Sequence, residues 1–228
     1  MTNISRLIAA FILLSGWAPV QAAIIVNGSF ETPLVPQSAD PQFNYQNFVA
    51  GSNLGGWTVV GVDSALVRSD DVQNGITFQA QNGFQWIDLA GINSNSPFSG
   101  VTQDVLTTVG QAYELSFYVG SSTDNAFFFP STVDLSIDGG ARLSFTNPNT
   151  TAGQLHWMQF TATFVAQDSN TSITFFNGSA PNNYQSALDN VTIAEVVSAT
   201  VPEPASLAIW SLGALGCAVY RRRGVLAA

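Results

Sequence analysis

Between Ala112 and Ile193 the chain keeps returning to a period of two, and this alternation narrows the possible folds sharply. Tyr113, Leu115, Phe117 and Val119 alternate with Glu114, Ser116 and Tyr118. Val133, Leu135 and Ile137 alternate with Asp134, Ser136 and Asp138, and Met158, Phe160, Ala162 and Phe164 with Gln159, Thr161 and Thr163. Ile173 and Phe175 follow the same rule, and Asp189, Val191 and Ile193 are predicted to share one face of a final strand. Successive side chains of a strand point to opposite faces, so each run offers one face to a core and one to water. Gly139-Gly140 supplies a hairpin turn before Arg142-Leu143-Ser144-Phe145. Gly, Asn, Ser and Pro separate the runs, and no helical period is sustained away from the chain ends. The pattern predicts an all-β antiparallel β-sandwich. Stretches 37–56 and 91–100, rich in Asn, Ser, Gly and Gln, are predicted as surface loops.

The two ends obey different rules. A short polar start with Arg6, an apolar run from Leu7 to about Trp17 and the small residues of Ala18-Pro19-Val20-Gln21-Ala22 make up a secretory signal peptide over 1–22. Cleavage is expected after Ala22, with Ala23 as the alternative. The apolar run is shorter than the ~20 residues a spanning helix needs. At the other end Pro202-Glu203-Pro204 breaks regular structure, because each proline lacks an N–H and restricts the residue before it. An uncharged apolar stretch, 205–220, follows and runs directly into Arg221, Arg222 and Arg223. Sixteen residues make about 24 Å of helix against a hydrocarbon core of about 30 Å. Arginine snorkelling and interfacial Trp210 and Tyr220 make up the difference. The arginines stay cytoplasmic under the positive-inside rule, which places everything upstream outside.

Val201-Pro202-Glu203-Pro204, the short membrane helix and the arginine cluster together resemble the PEP-CTERM sorting signal of Gram-negative bacteria, over 201–224. The resemblance implies export through the inner membrane, transient anchoring there by the helix, and processing near the Pro-Glu-Pro motif by an exosortase-type membrane protease. It also implies a final place at the cell surface or outside the cell, often with extracellular polysaccharide or biofilm. Pro202, Glu203 and Pro204 would be the recognition motif, and Arg221, Arg222 and Arg223 the stop-transfer end. An uncut C-terminal membrane anchor is the alternative.

The working part is then the domain over 23–200, long enough for one substantial core. Of the 15 acids only Glu203 lies outside it, so 14 acids face Arg68 and Arg142, a net charge of −12. There is no lysine, and a domain without a basic face is no partner for nucleic acid. The one cysteine, Cys217, is in the tail, so the domain has neither a disulfide nor a thiol nucleophile.

A looser resemblance covers most of this domain. Asn27-Gly28-Ser29-Phe30-Glu31, Gly56-Trp57, Gly110-Gln111-Ala112-Tyr113-Glu114-Leu115-Ser116-Phe117 and Leu188-Asp189-Asn190-Val191, in that order, are similar to the galactose-binding-like jelly roll. Carbohydrate-binding modules and the DUF642 group have the same order of signals. The resemblance implies a structural Ca2+ shared by an acid near the first strand and one near the last, here Glu31 and Asp189. Calcium takes six to eight oxygen ligands, so backbone carbonyls would have to join them. The alternative is that Glu31 caps a turn and Asp189 is a hydrogen-bonded buried acid.

Catalytic patterns are weak. Asp134-Leu135-Ser136-Ile137-Asp138-Gly139 begins like an EF-hand loop, but Phe145 stands where the bidentate Glu is required, and the segment alternates as a strand. His156 is the only histidine and no Gly-x-Ser-x-Gly is present. A glycosidase needs only two suitably spaced carboxylates, and no acid pair is evident at a strand end. Sugar binding has a clearer basis, because aromatic faces pack on the C–H faces of sugar rings while amides bond their hydroxyls. Trp57, Trp86, Phe128 of the Phe127-Phe128-Phe129 run, and Tyr184 beside Asn183 are the candidate contacts, with core packing the alternative for both tryptophans. The expectation is an exported, non-catalytic surface or matrix protein associated with extracellular polysaccharide. A structural or adhesive biofilm protein without sugar specificity is the alternative, followed by a secreted glycoside hydrolase.

Overall fold

The computed structural model describes residues 24–73, 75–92, 94–122, 130–149, 151–181 and 185–196. The signal peptide 1–22, the sorting signal 201–224, and Phe128, Asn183 and Tyr184 lie outside the described residues. Among the described residues no helix is long and apolar enough to cross a membrane.

In chain order the strands are β1 (Tyr45–Val49), β2 (Asn53–Leu54), β3 (Trp57–Val60), β4 (Asp63–Arg68), β5 (Val72–Gln73), β6 (Ile76–Thr77), β7 (Gln85–Asp88), β8 (Gly100–Leu106), β9 (Ala112–Ser121), β10 (Ser131–Ile137), β11 (Leu143–Asn147), β12 (His156–Val165), β13 (Asn170–Asn177) and β14 (Ala187–Glu195). Two six-stranded antiparallel sheets form the predicted sandwich. The first has the order β1-β4-β7-β14-β9-β12, the second β11-β10-β13-β8-β3-β2. The alternating runs set the inner faces. Tyr113, Leu115, Phe117 and Val119 of β9 are all buried, as are Val133 and Leu135 of β10 and Ile173 and Phe175 of β13. The acids Asp134 and Asp138 belong to β10 and the turn after it, and Asp138 (φ 50°) and Gly139 (φ 69°) make that turn left-handed. Two successive positive φ values suit the right-handed twist of a hairpin, and this turn, closed by the Gly140 N–H donating to the Ile137 carbonyl, lies in the connection between β10 and β11, whose last ladder pair is Leu135–Leu143.

Two expectations need correction. The stretch 37–56 is not a single loop: it contains the edge strand β1, paired with β4, and β2. An edge strand buries little, so its alternation is faint in the sequence. Asp189, Val191 and Ile193 do not share a face. Asp189 lies opposite Tyr118 and Thr192 opposite Ser116, so Asn190 and Val191 together face the single residue Phe117. Asn190 takes the left-handed φ of 50° that this bulge requires. One extra residue reverses the parity, turning Asp189 away from the core while Val191 and Ile193 point into it.

β4 and β7 are not legible in the sequence, because both their faces are covered and they carry no alternation. Leu66 and Ile87, cross-strand partners, enter the inter-sheet core. Val67 and Trp86, the next pair, join Ile76, Phe78, Leu155 and Ala187 in a second cluster on the outer side of the first sheet. The β5–β6 hairpin contributes Ile76 to that cluster, which adds a partial third layer.

Candidate cation and glycan sites

The two tryptophans expected to stack on sugar are core residues. Trp57 is 0% exposed; its ring packs on Phe30 and Phe175 with centroids at 5.5 and 6.0 Å, and its Nε1 donates to the Asn27 carbonyl at 3.1 Å. Trp86 is 1% exposed and lies between Phe78 and Trp157, with Nε1 donating to the Phe78 carbonyl at 3.0 Å. Neither ring can meet a ligand without opening a cluster, which corrects both assignments. The exposed aromatics among the described residues are Phe43, in a short 3-10 turn (Pro41–Phe43) before β1, and Phe84 and Phe98 on connections between strands, where no periodic signal marks them.

Glu31 and Asp189, from opposite ends of the domain, are brought to one place by the turn 81–85. Asp189 Oδ2 accepts from the backbone N–H of Gln81 and Asn82, both at 2.9 Å, and Oδ1 from that of Asn190 at 2.7 Å. Glu31 Oε1 accepts from the N–H groups of Phe84 at 2.8 Å and Gln85 at 3.1 Å. Between these pairs sits Gly83, with φ of +79°, where an added Cβ would lie 2.2 Å from Glu31 Oε1. The bulge at Asn190 is what aims Asp189 at this turn. Burial pushes the Asp189 carboxyl up to about 8; its three backbone donors oppose the shift and the nearby Glu31 adds to it. Amide oxygens surround the pair: Gln81 Oε1 accepts from Asn190 Nδ2 at 2.8 Å, and Asn82 Oδ1 from the Ser29 hydroxyl at 3.2 Å. Among the described residues no group of three or more His, Cys, Asp and Glu is gathered as a metal site. Any cation here would therefore be completed by neutral oxygens. All donors present are hard oxygens, the class calcium prefers, so the residues fit such an ion in kind.

A second acid pair escaped the sequence reasoning. Asp63 opens β4 and Asp88 closes β7, both buried, and the charge of Asp63 acts on Asp88. Asp63 accepts from Asn47 Nδ2 at 2.9 Å and from the Ser94 hydroxyl. Asp88 Oδ1 accepts from the N–H groups of Ser186 at 2.9 Å and Ala90 at 3.0 Å. Desolvation dominates there and pushes Asp88 up to about 7. At 3% and 6% exposure the two carboxylates are closed off from solvent, whereas a glycosidase pair has to reach substrate and water. His156 opens β12, and its Nε2 is buried with no hydrogen-bond partner among the described residues.

Against this geometry, the class is an antiparallel sandwich with a carboxylate pair held at one turn and a C-terminal sorting tail. Residues 23–194 match the family model described as Protein of unknown function (DUF642), and the chain belongs to that family. Residues 200–223 match the PEP-CTERM protein-sorting motif, so the expected signal is present at the C-terminal end. Neither model describes a catalytic activity. No curated protein matches the chain. Among solved structures, it is similar to an exo-β-1,3-galactanase from Phanerochaete chrysosporium with galactose, at 17% identity and a TM-score of 0.40, covering 65% of this chain and 29% of that one. A family 35 carbohydrate-binding module from Clostridium thermocellum is 18% identical with a TM-score of 0.39, covering 65% of this chain and 98% of the module. The CBM22-1 xylan-binding domain from Paenibacillus barcinonensis is 18% identical with a TM-score of 0.40, covering 68% and 94%. The chain thus spans less than a third of the galactanase's length.

Proposed function

We propose that the protein is exported, held briefly in the inner membrane by its C-terminal segment, processed by an exosortase-type protease, and active outside the cell as a non-catalytic binder of extracellular polysaccharide. The observation that carries this reading is the sorting motif at 200–223 following a β-sandwich that matches a family model over 23–194. Exposed aromatics at strand connections support the sugar-binding part. Glycan-array binding by the protein recovered from the cell surface tests it. Binding to one polysaccharide class is expected, whereas an adhesive protein without sugar specificity would bind none. Mass spectrometry of the same material tests the sorting part: the Arg221-Arg222-Arg223 end is expected to be missing, and an intact tail throughout the surface pool would contradict processing.

We further propose that Glu31 and Asp189 hold one Ca2+. Two neighbouring carboxylates whose charge is met by backbone N–H groups alone, with no arginine among their bonded partners, support this assignment. A bound cation would supply the missing positive charge and tie the N-terminal segment to β14. A ligand that binds only the folded state stabilises it by about 2.7 kcal/mol at a hundredfold excess over Kd. The melting temperature should therefore fall when calcium is removed by chelator and recover when it is restored; no change would eliminate the ion.

A further inference from the structure

The outward face of the second sheet carries a line of hydroxyl and amide side chains running across the strands. Asn53 of β2 pairs with Thr58 of β3, Thr58 with Thr102 of β8, Thr102 with Thr174 of β13, and Thr174 with Ser136 of β10. Directly paired residues share a face, so register alone aligns all five. Ser136 is buried and donates to the Gly140 carbonyl at 2.8 Å, so the exposed part of the line runs over the other four residues, three strand spacings of about 4.8 Å or roughly 14 Å. Thr102 and Thr174 are joined by a hydroxyl–hydroxyl hydrogen bond of 2.9 Å, and Asn53, Thr58, Thr102 and Thr174 all keep some exposure. At the β10 end Arg142 lies 3.6 Å above the Phe176 ring, donates from Nη1 to the Pro97 carbonyl at 2.6 Å, and comes within 4.0 Å of Asp134. The Phe98 ring, 66% exposed, stands 5.9 Å from the same guanidinium.

Resting on the polysaccharide-binding function proposed above, we propose that this line is the binding site, and that it takes an extended, neutral polysaccharide lying across the strands. The spacing fits because one pyranose ring in an extended chain is roughly as long as one strand spacing, so successive sugars would meet successive hydroxyls. A hydroxyl both donates and accepts, which matches it to a sugar hydroxyl of either orientation. Arg142 and Asp134 place a pure donor beside a pure acceptor, a pair complementary to vicinal hydroxyls. Phe98 supplies the apolar surface for a C–H face. Charge decides against an anionic polymer: the face carries Asp104 and Asp134 against Arg142 alone, on a domain of net charge −12.

Affinity electrophoresis of the full chain in detergent, through gels containing xylan, laminarin, galactomannan or polygalacturonate, tests the site. At least one of the three neutral polymers should retard the protein, and preference for polygalacturonate would overturn the assignment. Phe98→Ala and Thr174→Val should each weaken retardation about tenfold, while Val165→Ala, which alters an exposed side chain at the end of β12 in the other sheet, should leave it unchanged. Phe98 is exposed enough that its loss leaves the fold intact, so that variant decides even where Thr174→Val does not fold. Wild-type retardation with full binding by Phe98→Ala would move the site elsewhere while leaving polysaccharide binding in place. Absence of retardation by every polymer would refute both. Hexasaccharides of the bound polymer should also compete far better than disaccharides, and equal competition would overturn the crossing of several strands.

Discussion

Replacing Asp88 by asparagine isolates the electrostatic cost of burying an acid in this sandwich. The side chain is 6% exposed at the end of β7, and its Oδ1 accepts from the N–H groups of Ser186 and Ala90. Desolvation pushes the carboxyl up to about 7; the two backbone donors oppose the rise, and Asp63 adds to it. An unfolded aspartate titrates near 3.9. Between roughly pH 4 and pH 7 the folded state thus holds a proton that the unfolded state has released, so stability falls as pH rises. Each unit is equivalent to about 1.4 kcal/mol, so three units set an upper limit of about 4 kcal/mol from this one group. Asparagine keeps an Oδ1 acceptor for both N–H groups and carries no charge. Asp88→Asn should therefore stabilise the protein by about 2–4 kcal/mol at pH 8 and change it by less than about 1 kcal/mol at pH 4.5, where the wild-type acid is already neutral. Urea unfolding of both proteins at the two pH values measures the difference directly. Equal destabilisation by the variant at both values would show that Asp88 is ionised and compensated in the fold, and would refute the reasoning.

Asp71 is buried and raised to about 6, mainly by desolvation, so Asp71→Asn should show a narrower gain confined to the window above about pH 4; an unchanged pH dependence of the urea midpoint would contradict this. Gly83→Ala should cost about 2 kcal/mol or more, since its φ of +79° and the 2.2 Å approach to Glu31 penalise any Cβ. Wild-type urea stability of that variant would show that the turn does not depend on glycine. Trp57→Ala should cost about 3–5 kcal/mol in thermal or urea unfolding. Material that remains folded should keep its polysaccharide binding, and selective loss of binding at full stability would return Trp57 to the surface.

What could be seen in the sequence was whatever lay between one wet face and one dry face. β9, β10 and β13 show their inner residues by parity alone, because water covers the other side. β4 and β7 hide theirs, since Asp63-Ser64-Ala65-Leu66-Val67 is buried at every position and the outer layer accounts for half of the apolar residues. The bulge at Asn190 was equally illegible: a left-handed asparagine looks like any other, yet it decides which way Asp189 points. Glu31 and Asp189 were found through the order of motifs over the whole domain, which carries long-range information that local periodicity lacks. Trp57 and Trp86 misled because a tryptophan satisfies an aromatic-platform pattern and a core pattern equally well, and only its neighbours separate the two.

The amides misled in a more general way. A wealth of Asn and Gln reads as loops and sugar contacts, but several of these side chains replace backbone where strands cannot pair. Gln103 accepts from the Val26 N–H at 2.7 Å and donates to its carbonyl at 2.9 Å, as a neighbouring strand would. Gln85, buried, donates to the Phe30 and Pro33 carbonyls and accepts from the Val35 N–H. Asn147 donates to the Val119 and His156 carbonyls. An amide side chain has the same donor and acceptor as a peptide group, so it can satisfy an irregular buried segment without a charge. In a domain without lysine or cysteine, with few ion pairs among its described residues, these amides hold the N-terminal segment and the strand ends to the sandwich. Polar composition therefore locates the irregular backbone of this protein, and a ligand-facing surface has to be sought where partly exposed polar side chains repeat across paired strands.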